Sequence, residues 1–373
     1  MATAAIEDLE VAEVARRATG DPAAELVDWA ATPIAHVRII DTTGGLHVVG
    51  GRVRCAGTEV PFTCVLKVLT RPADGDPDPG SWAYWRREAA FYASSVAATL
   101  PRSLRAPGAY GVWEAEDVAR VWMEHVPGHS GPWTLDDFAR AARAAGRSAG
   151  EFVCGRPLPG EPWLARGFLR SVLADGGFWQ PFLAAEAWES PLAAPFAGAT
   201  RGRVMGLWAD RDALLAVAER LPQVLGHGDL HPRNILLPPD GEDVVAVDWG
   251  FCGPAPLGAD LGDLVTGPAW FCDIELDELP AVEAVALAAY EDGLRDAGWA
   301  GDPDLVRLGY GYTVALRWAA CMPGWAAFML GPERAASSEV LYGRPLEHIL
   351  RTWTALEARC LAIAGETRAL ARA

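Results

Sequence analysis

The first third of the chain contains apolar stretches of the composition that is typical of β-strands. Stretches rich in Val, Ile and Thr lie at 36–41, 46–55 and 60–69, separated by the turn-forming segments TTGG and AGTE. Two further apolar stretches, 109–113 and 118–125, flank the polar segment EAED. The pattern predicts an antiparallel sheet that ends in a hairpin.

Helical spacing of apolar residues begins in the segment SWAYWRREAAFYASSVAATL at 81–100, which follows a loop rich in Pro and Gly. The segment VPGHSGP at 126–132 reads as a linker. Beyond it helical patterns dominate, and several begin with Asp or Thr and end near Gly. They predict helices within 134–146, 161–174, 210–221, 277–298, 302–321 and 345–365. We therefore expect a lobe boundary near Pro127, with an N-lobe at 1–127 and a C-lobe at 128–373.

Composition narrows the class of protein. The formal net charge of −17 argues against a nucleic-acid partner, because such proteins neutralise phosphates with basic patches. The start of the chain does not resemble a signal peptide, and no stretch is long and apolar enough to span a membrane. The seven cysteines form no C-x-x-C pair. We expect a reduced, cytoplasmic protein, and the sequence leaves its oligomeric state open.

Lys67 is the only lysine in the chain, and it lies near the end of the apolar stretch 60–69. A lysine in an edge strand can extend its ammonium along an apolar surface to solvent. Its position alone therefore indicates no function, and its significance depends on the residues around it.

One polar stretch, LGHGDLHPRNILLPPDGEDVVAVDWG at 225–250, interrupts the helical patterns. The apolar ILL and VVAV flank the turn PPDGED and predict a short hairpin. Asp229 and Asn234 precede its first strand and Asp248 follows its second, so they meet at one end. Hard oxygen ligands gathered in this way suit Mg²⁺, which fills its other positions with water and nucleotide phosphates. Asp229 is then free to accept a proton from a hydroxyl group.

The spacing H-x-D-x-x-x-x-N, followed after the hairpin by D-x-G, resembles the catalytic pattern of the protein-kinase-like fold. HGD in place of HRD, the following HPRNIL, DW in place of DF and the tail PLGADLGDL resemble the aminoglycoside phosphotransferase and choline kinase-like family of small-molecule kinases. The resemblance implies an α+β fold of two lobes. The N-lobe would be an antiparallel sheet with one helix, and the C-lobe would be mainly helical with a catalytic β-hairpin.

The resemblance also implies roles for individual residues. Asp229 would be the catalytic base, and Asn234 and Asp248 would bind Mg²⁺. Lys67 would hold the α and β phosphates of ATP or GTP, with Glu88 as its ion-pair partner. The hinge that meets the purine through backbone groups would consist of Met123, Glu124, His125 and Val126.

Nearby polar residues have alternative interpretations. Arg86 and Arg87 are alternative partners for Glu88. We expect His227 and Asp260 to brace the catalytic loop and Asp263 to be a helix-capping or surface residue.

Two further positions depart from the family or have an open role. Arg233 stands where the family often has Gly, and it either points at solvent or reaches a substrate anion. One interpretation of His231 is that it contacts the substrate or a phosphate group. TTGG at 42–45 is a weak phosphate-covering turn that lacks G-x-G-x-x-G.

The implied reaction transfers the γ-phosphoryl group of ATP or GTP to a hydroxyl of a small molecule. The resemblance and the acidic C-lobe favour an antibiotic or secondary metabolite, cationic or sugar-bearing, modified for resistance or self-protection. The alternative enzyme is a metabolic kinase for a sugar, an amino alcohol or homoserine. A nucleotide-binding pseudokinase or scaffold is disfavoured because every expected catalytic residue is present.

Tryptophans of the C-lobe have two interpretations. Most should pack in the core, while one or two could stack on the acceptor. The candidates are Trp249, Trp270, Trp318 and Trp325.

Overall fold

The computed structural model describes residues 6–34, 39, 42–73, 77–128, 131–174, 185–239 and 243–372. Its strands are β1 Glu25–Pro33, β2 Thr43–Cys55, β3 Thr58–Thr70, β4 Ala109–Glu114, β5 Val118–Glu124, β6 Gln223–Gly226, β7 Ile235–Leu236, β8 Val245–Ala246 and β9 Gly253–Pro256. Its α-helices are α1 Asp8–Thr19, α2 Arg87–Ala93, α3 Ser95–Ala98, α4 Leu135–Val153, α5 Phe168–Ala174, α6 Ala199–Ala218, α7 Asp260–Trp270, α8 Leu279–Asp296, α9 Asp304–Thr313, α10 Met322–Leu330, α11 Ala335–Tyr342 and α12 Leu346–Leu370.

The N-lobe is built on an antiparallel sheet with the strand order β1-β2-β3-β5-β4. Strand β3 is central, and its Lys67 lies opposite Leu46 of β2 and Val121 of β5. Lys67 is therefore not an edge-strand lysine whose ammonium reaches solvent.

The two faces of the sheet pack against different parts of the protein. Because side chains alternate along a strand, Leu66 and Val68 of β3 face one side and Leu69 the other. The first side forms a small core with Val11 and Val14 of α1. The second side joins the large core that continues through the C-lobe. Lys67 shares this second side with Leu69, so β3 directs its ammonium toward the C-lobe.

The predicted strands at 46–55 and 60–69 and the hairpin at 109–125 are confirmed. The predicted strand at 36–41 lies outside the described residues except for Ile39. The turn prediction for TTGG is wrong for Thr43 and Gly45, which belong to β2. They pair with Leu69 and Val68 across an irregularity in register, so the strand accommodates its glycines by a bulge. Strand β1 and helix α1 were not predicted.

In place of the single helix predicted at 81–100, the structure has two shorter helices, α2 and α3. Helix α2 ends at Ala93, and the extended Ser94 caps α3 by accepting a hydrogen bond from the N–H of Val96 at 3.2 Å. The remaining six helical segments each contain a helix or part of one. The C-lobe is mostly helical, and with the N-lobe sheet it gives the two-lobed architecture that the sequence predicted. No helix among the described residues has the length and hydropathy of a membrane span.

Close helix packing in the C-lobe depends on glycine. Gly146 of α4 and Gly293 of α8 lie where the two helices touch. A Cβ atom on Gly146 would be 2.1 Å from the carbonyl oxygen of Tyr290, and one on Gly293 would be 2.2 Å from that of Arg143. A Cβ atom at either position would force the helix backbones apart.

We predict that Gly146→Ala lowers the free energy of unfolding by about 1–3 kcal/mol, because the added methyl group overpacks the contact between α4 and α8. Gly206→Ala in α6 is the matched control, since a Cβ there meets no atom within 4 Å. The control should raise stability by roughly 0.5–1 kcal/mol through helix propensity. Urea unfolding of both variants tests this, and equal shifts would contradict the packing argument.

Candidate active site

Lys67 joins the two lobes through an ion-pair cluster in which it and Glu88 are buried. Its Nζ lies 2.6 Å from Oε2 of Glu88 in α2 and 2.8 Å from Oδ1 of Asp248, which follows β8. Burial alone would lower the pKa of the Lys67 ammonium, but Asp248 and Glu88 outweigh it and hold that pKa above its usual value. The structure therefore brings together Lys67, Glu88 and Asp248, which are far apart in the sequence.

The arginines beside Glu88 have other partners. Arg86 lies 3.2 Å from Glu114 and reaches the loop of the β4–β5 hairpin. Arg87 is fully buried, and its guanidinium donates to main-chain carbonyl oxygens. These acceptors belong to Pro79, Ser81, Trp82, Trp163 and Gly250. Neither arginine therefore pairs with Glu88, whose ion-pair partner is Lys67. Arg87 links α2 to the segment after Asp248 through its hydrogen bond to Gly250.

The catalytic loop between β6 and β7 is held by Asp260 at the start of α7. Both carboxylate oxygens of Asp260 accept main-chain hydrogen bonds, from the N–H of His227 and of Gly228, each at 3.0 Å. Gly228 has a φ of +79°, and a Cβ there would lie 2.7 Å from the carbonyl oxygen of Phe251. Glycine is therefore required at this turn.

His227 is a structural residue of the same loop. Its Nδ1 accepts a hydrogen bond from the N–H of Asp229 at 3.2 Å, so its Nε2 carries the proton and donates to the carbonyl oxygen of Val247 at 2.9 Å. Its ring lies edge-on to that of Trp249, with 4.6 Å between the centroids. Burial lowers the pKa of His227. These contacts join the catalytic loop to the strand that leads to Asp248.

The carboxylate of Asp229 is held from both sides. Its Oδ2 accepts a hydrogen bond from Nδ2 of Asn234 at 3.0 Å and lies 3.4 Å from Nε2 of His231. Its Oδ1 accepts a hydrogen bond from Nη2 of Arg317 at 2.7 Å. Burial raises the pKa of Asp229, but His231 and Arg317 outweigh burial and hold the pKa below its usual range. Asp229 is thus an ionised hydrogen-bond acceptor in a fixed orientation.

Asn234 and Asp248 come together at one end of the β7–β8 ribbon, as the sequence predicted. The N–H of Val247 donates to the carbonyl oxygen of Asn234 at 2.9 Å, which places Asp248 beside it. Asp248 has a left-handed φ of 65°, and its side chain is 48% exposed. Asn234 uses its Nδ2 for Asp229, and its amide oxygen makes no hydrogen bond to the described residues. One exposed carboxylate and one amide oxygen fit Mg²⁺, which takes few protein ligands.

The predicted hinge begins with Met123 and Glu124, the last two residues of β5, and ends at Val126. The carboxylate of Glu124 accepts hydrogen bonds from Arg105 at 2.7 Å and from the N–H of Gly108 at 2.9 Å, while its own N–H donates to Gly108 at 2.8 Å. The side chain of Glu124 therefore fixes the strand end. Met123 and Val126 are buried, and His125 is exposed.

Asp263 is neither a helix cap nor a surface residue, contrary to the sequence prediction. Its side chain is 2% exposed, and its Oδ2 accepts a hydrogen bond from Nη1 of Arg317 at 2.9 Å. The prediction failed because the partner lies on a distant helix.

Arg317 was missed by the sequence analysis. It is the only charged residue between Arg307 and Glu333. A lone charge in such an apolar run needs a buried partner, which is the signal that could have found it.

The remaining candidates have defined places. Arg233 forms a double hydrogen bond with Asp273 at 2.7 and 3.0 Å, so its guanidinium is engaged within the protein. Trp249, Trp270 and Trp318 are buried in the core. Trp325 is partly buried against the same core.

The fold and the site together define a two-lobed, protein-kinase-like phosphotransferase. The model of the phosphotransferase enzyme family (APH) matches residues 68–300, which is more than half of the chain. The chain belongs to this family, as its sequence motifs indicated, and is a kinase of small-molecule hydroxyl groups. No curated protein sequence matches it.

Solved structures with the same fold extend over nearly the whole chain. An amicoumacin kinase in complex with AMP-PNP, Ca²⁺ and Ami is 13% identical with a TM-score of 0.53, covering 94% of this chain and 93% of that one. An aminoglycoside phosphotransferase from Alicyclobacillus acidocaldarius is 14% identical with a TM-score of 0.51, covering 99% and 97%. A choline kinase from Cryptosporidium parvum is 12% identical with a TM-score of 0.50, covering 96% and 99%. These similarities establish the fold.

We predict that Asp260→Ala lowers the free energy of unfolding, because the main-chain N–H groups of His227 and Gly228 lose their acceptor. Each unsatisfied N–H costs about 1–3 kcal/mol. Asp260→Asn is the matched control, since it keeps one acceptor oxygen and should lose less. Urea unfolding measures both changes. Equal stability of the wild type and Asp260→Ala would show that the carboxylate does not hold the catalytic loop.

Proposed function

We propose that the protein transfers the γ-phosphoryl group of ATP, bound with a divalent metal ion, to a hydroxyl group of an antibiotic or other secondary metabolite. The observation that carries the proposal is the meeting of Asp248, which is paired with Lys67, and Asn234, which is hydrogen-bonded to Asp229, at one end of the β7–β8 ribbon. The amicoumacin kinase was solved with AMP-PNP and Ca²⁺, which supports ATP and a divalent metal here. The choice of ATP over GTP is part of the proposal.

Each lobe has a part in this reaction. The N-lobe, residues 1–127, would bind the nucleotide between its sheet and the hinge at Met123, Glu124, His125 and Val126. The ammonium of Lys67 would hold the α and β phosphates, with Glu88 fixing its position. The C-lobe, residues 128–373, would bind the acceptor and carry the catalytic loop.

Asp229 would orient the acceptor hydroxyl and take its proton as the phosphoryl group is transferred. Its low pKa keeps it ionised before the reaction. Asn234 and Asp248 would hold Mg²⁺, which supplies charge neutralisation at the phosphate oxygens when bound. Positioning and electrostatics would provide most of the rate acceleration.

Charge favours a cationic or sugar-bearing acceptor. Between Asn234 and Val306 the chain has one basic residue, Arg295, among many Asp and Glu residues. Such a surface attracts cations over the distance of a Debye length. Kinases with this fold act on amicoumacin and on aminoglycosides, which supports an antibiotic as the acceptor and a role in resistance or self-protection.

The second candidate is a metabolic kinase for an amino alcohol, a sugar or homoserine. The choline kinase with the same fold favours it. A pseudokinase is disfavoured because Lys67, Asp229, Asn234 and Asp248 are all present.

A test of the acceptor measures nucleoside diphosphate release with Mg·ATP and Mg·GTP in parallel. The panel contains aminoglycosides, macrolides, cyclic-peptide and nucleoside antibiotics, choline, homoserine and simple sugars. We expect release to be stimulated by one antibiotic class. Stimulation by choline, homoserine or a sugar alone would contradict the antibiotic proposal and support the metabolic kinase.

We predict that Asp229→Asn lowers kcat by about 10²-fold or more, because the amide cannot accept the proton. Its affinity for Mg·ATP should stay close to that of the wild type. Asp212→Asn, an exposed carboxylate of α6, is the matched control and should keep wild-type turnover. Wild-type kcat in Asp229→Asn would rule out a base at this position.

A further inference from the structure

Arg317 makes contacts that the nucleotide, metal and base assignments leave unexplained. Its Nη2 donates to Oδ1 of Asp229 at 2.7 Å, and its Nη1 donates to Oδ2 of Asp263 at 2.9 Å. Nη1 also donates to the carbonyl oxygen of Gly228. One guanidinium thus touches the proposed base, the loop residue before it and a buried carboxylate of α7.

We propose that Arg317 is a positioning residue, which fixes the carboxylate of Asp229 in the orientation that accepts the acceptor hydroxyl. The inference rests on the proposed phosphoryl transfer at Asp229. Asn234 holds Oδ2 of the carboxylate and Arg317 holds Oδ1, so rotation of the side chain would break one hydrogen bond or the other. Each carboxylate oxygen has two acceptor sites, so a site remains for the hydroxyl.

Arg317 is itself held in place by its surroundings. Its guanidinium lies 5.2 Å from the ring centroid of Phe168 and 5.8 Å from that of Trp318. Its side chain is 16% exposed, and that of Asp263 is 2% exposed. A charge in such a site stays only where partners compensate it, and Asp263 and Asp229 are those partners. A planar fork held in this way suits bidentate contacts with fixed directions.

The backbone around Arg317 has a form that is often found at functional sites. Residues Val314–Ala319 form a π-helical turn between α9 and α10, in which the N–H of Ala320 donates to the carbonyl oxygen of Ala315 at 3.0 Å. Such turns insert an extra residue into a helix and redirect its side chains. Here the turn includes the residue that reaches Asp229.

A structural role for the pair of Arg317 and Asp263 is the competing explanation. In that case the pair would stabilise the contact of α7 with the π-helical turn, and the hydrogen bond to Asp229 would have no effect on turnover. The two roles can be separated, because replacing both residues by apolar ones removes the need for a buried charge pair but does not replace the hydrogen bond to Asp229.

The experiment compares wild type, Asp229→Asn, Arg317→Met and the double variant Arg317→Met with Asp263→Leu. Thermal unfolding gives Tm. ADP release from Mg·ATP, with water and with each compound of the acceptor panel in turn, gives kcat and KM. Arg317→Met should lose both stability and turnover, since it leaves Asp263 buried without a partner. The double variant should recover most of the Tm, while its kcat stays about tenfold or more below wild type. KM for Mg·ATP should be unchanged.

Wild-type kcat in the stable double variant would overturn the inference while leaving the proposed function intact. A rise in KM for Mg·ATP that equals the whole loss of kcat/KM would also overturn it, because Arg317 would then serve nucleotide binding. If the wild type releases no ADP with water or with any compound of the acceptor panel, the proposed function fails and the inference fails with it.

Arg317→Lys provides a second test of the inference if the double variant does not fold. The lysine keeps a positive charge beside Asp263, so Tm should stay near wild type. Its single ammonium cannot present the fixed fork of a guanidinium, so kcat should fall about threefold or more with KM unchanged. Wild-type kcat in this variant would overturn the inference.

Discussion

The ammonium of Lys67 between Glu88 and Asp248 is the interaction on which the site depends. A buried charge without a partner costs several kcal/mol, so the three groups hold one another in place. The three residues come from β3, α2 and the loop after β8. Their contact therefore holds the N-lobe sheet against the β7–β8 ribbon. Arg87 adds to this by bonding the carbonyl oxygen of Gly250 at 2.8 Å. The geometry of the proposed nucleotide site is thus fixed by electrostatics across the lobes.

The loop that carries Asp229, the proposed base, is positioned by a second arrangement that uses mostly main-chain groups. Asp260 binds the two N–H groups that precede Asp229, and His227 joins the loop to Val247. This places the Asp229 carboxylate, whose pKa is lowered, as a hydrogen-bond acceptor in the middle of the site. In the proposed mechanism this arrangement mainly orients Asp229. This agrees with phosphoryl transfer, in which positioning and charge neutralisation supply most of the rate acceleration.

The sequence predicted those parts of the site that lie close together along the chain. Asp229, Asn234 and Asp248 belong to one local hairpin, so their spacing alone predicted that they meet. Lys67 and Glu88 could be placed only through family resemblance, because their contact depends on how β3 packs on α2. Asp263 was misplaced and Arg317 missed for the same reason: each is explained only by a partner on a distant helix. Strand β1 is exposed along most of its length and contains only one Val, one Thr and no Ile, so it lacked the composition that marked β2 and β3.

The most direct test of the account is isothermal titration calorimetry of ATP, with and without Mg²⁺, on the wild type and on Lys67→Met. Because methionine fills the space of the lysine stem but has no charge, the change removes the ammonium from Glu88, Asp248 and the phosphates together and so tests the whole Lys67 cluster. We predict that the wild type binds ATP in a manner that depends on Mg²⁺ and that Lys67→Met binds it about tenfold or more weakly. Equal affinity in the two proteins, or no ATP binding by the folded wild type, would contradict it.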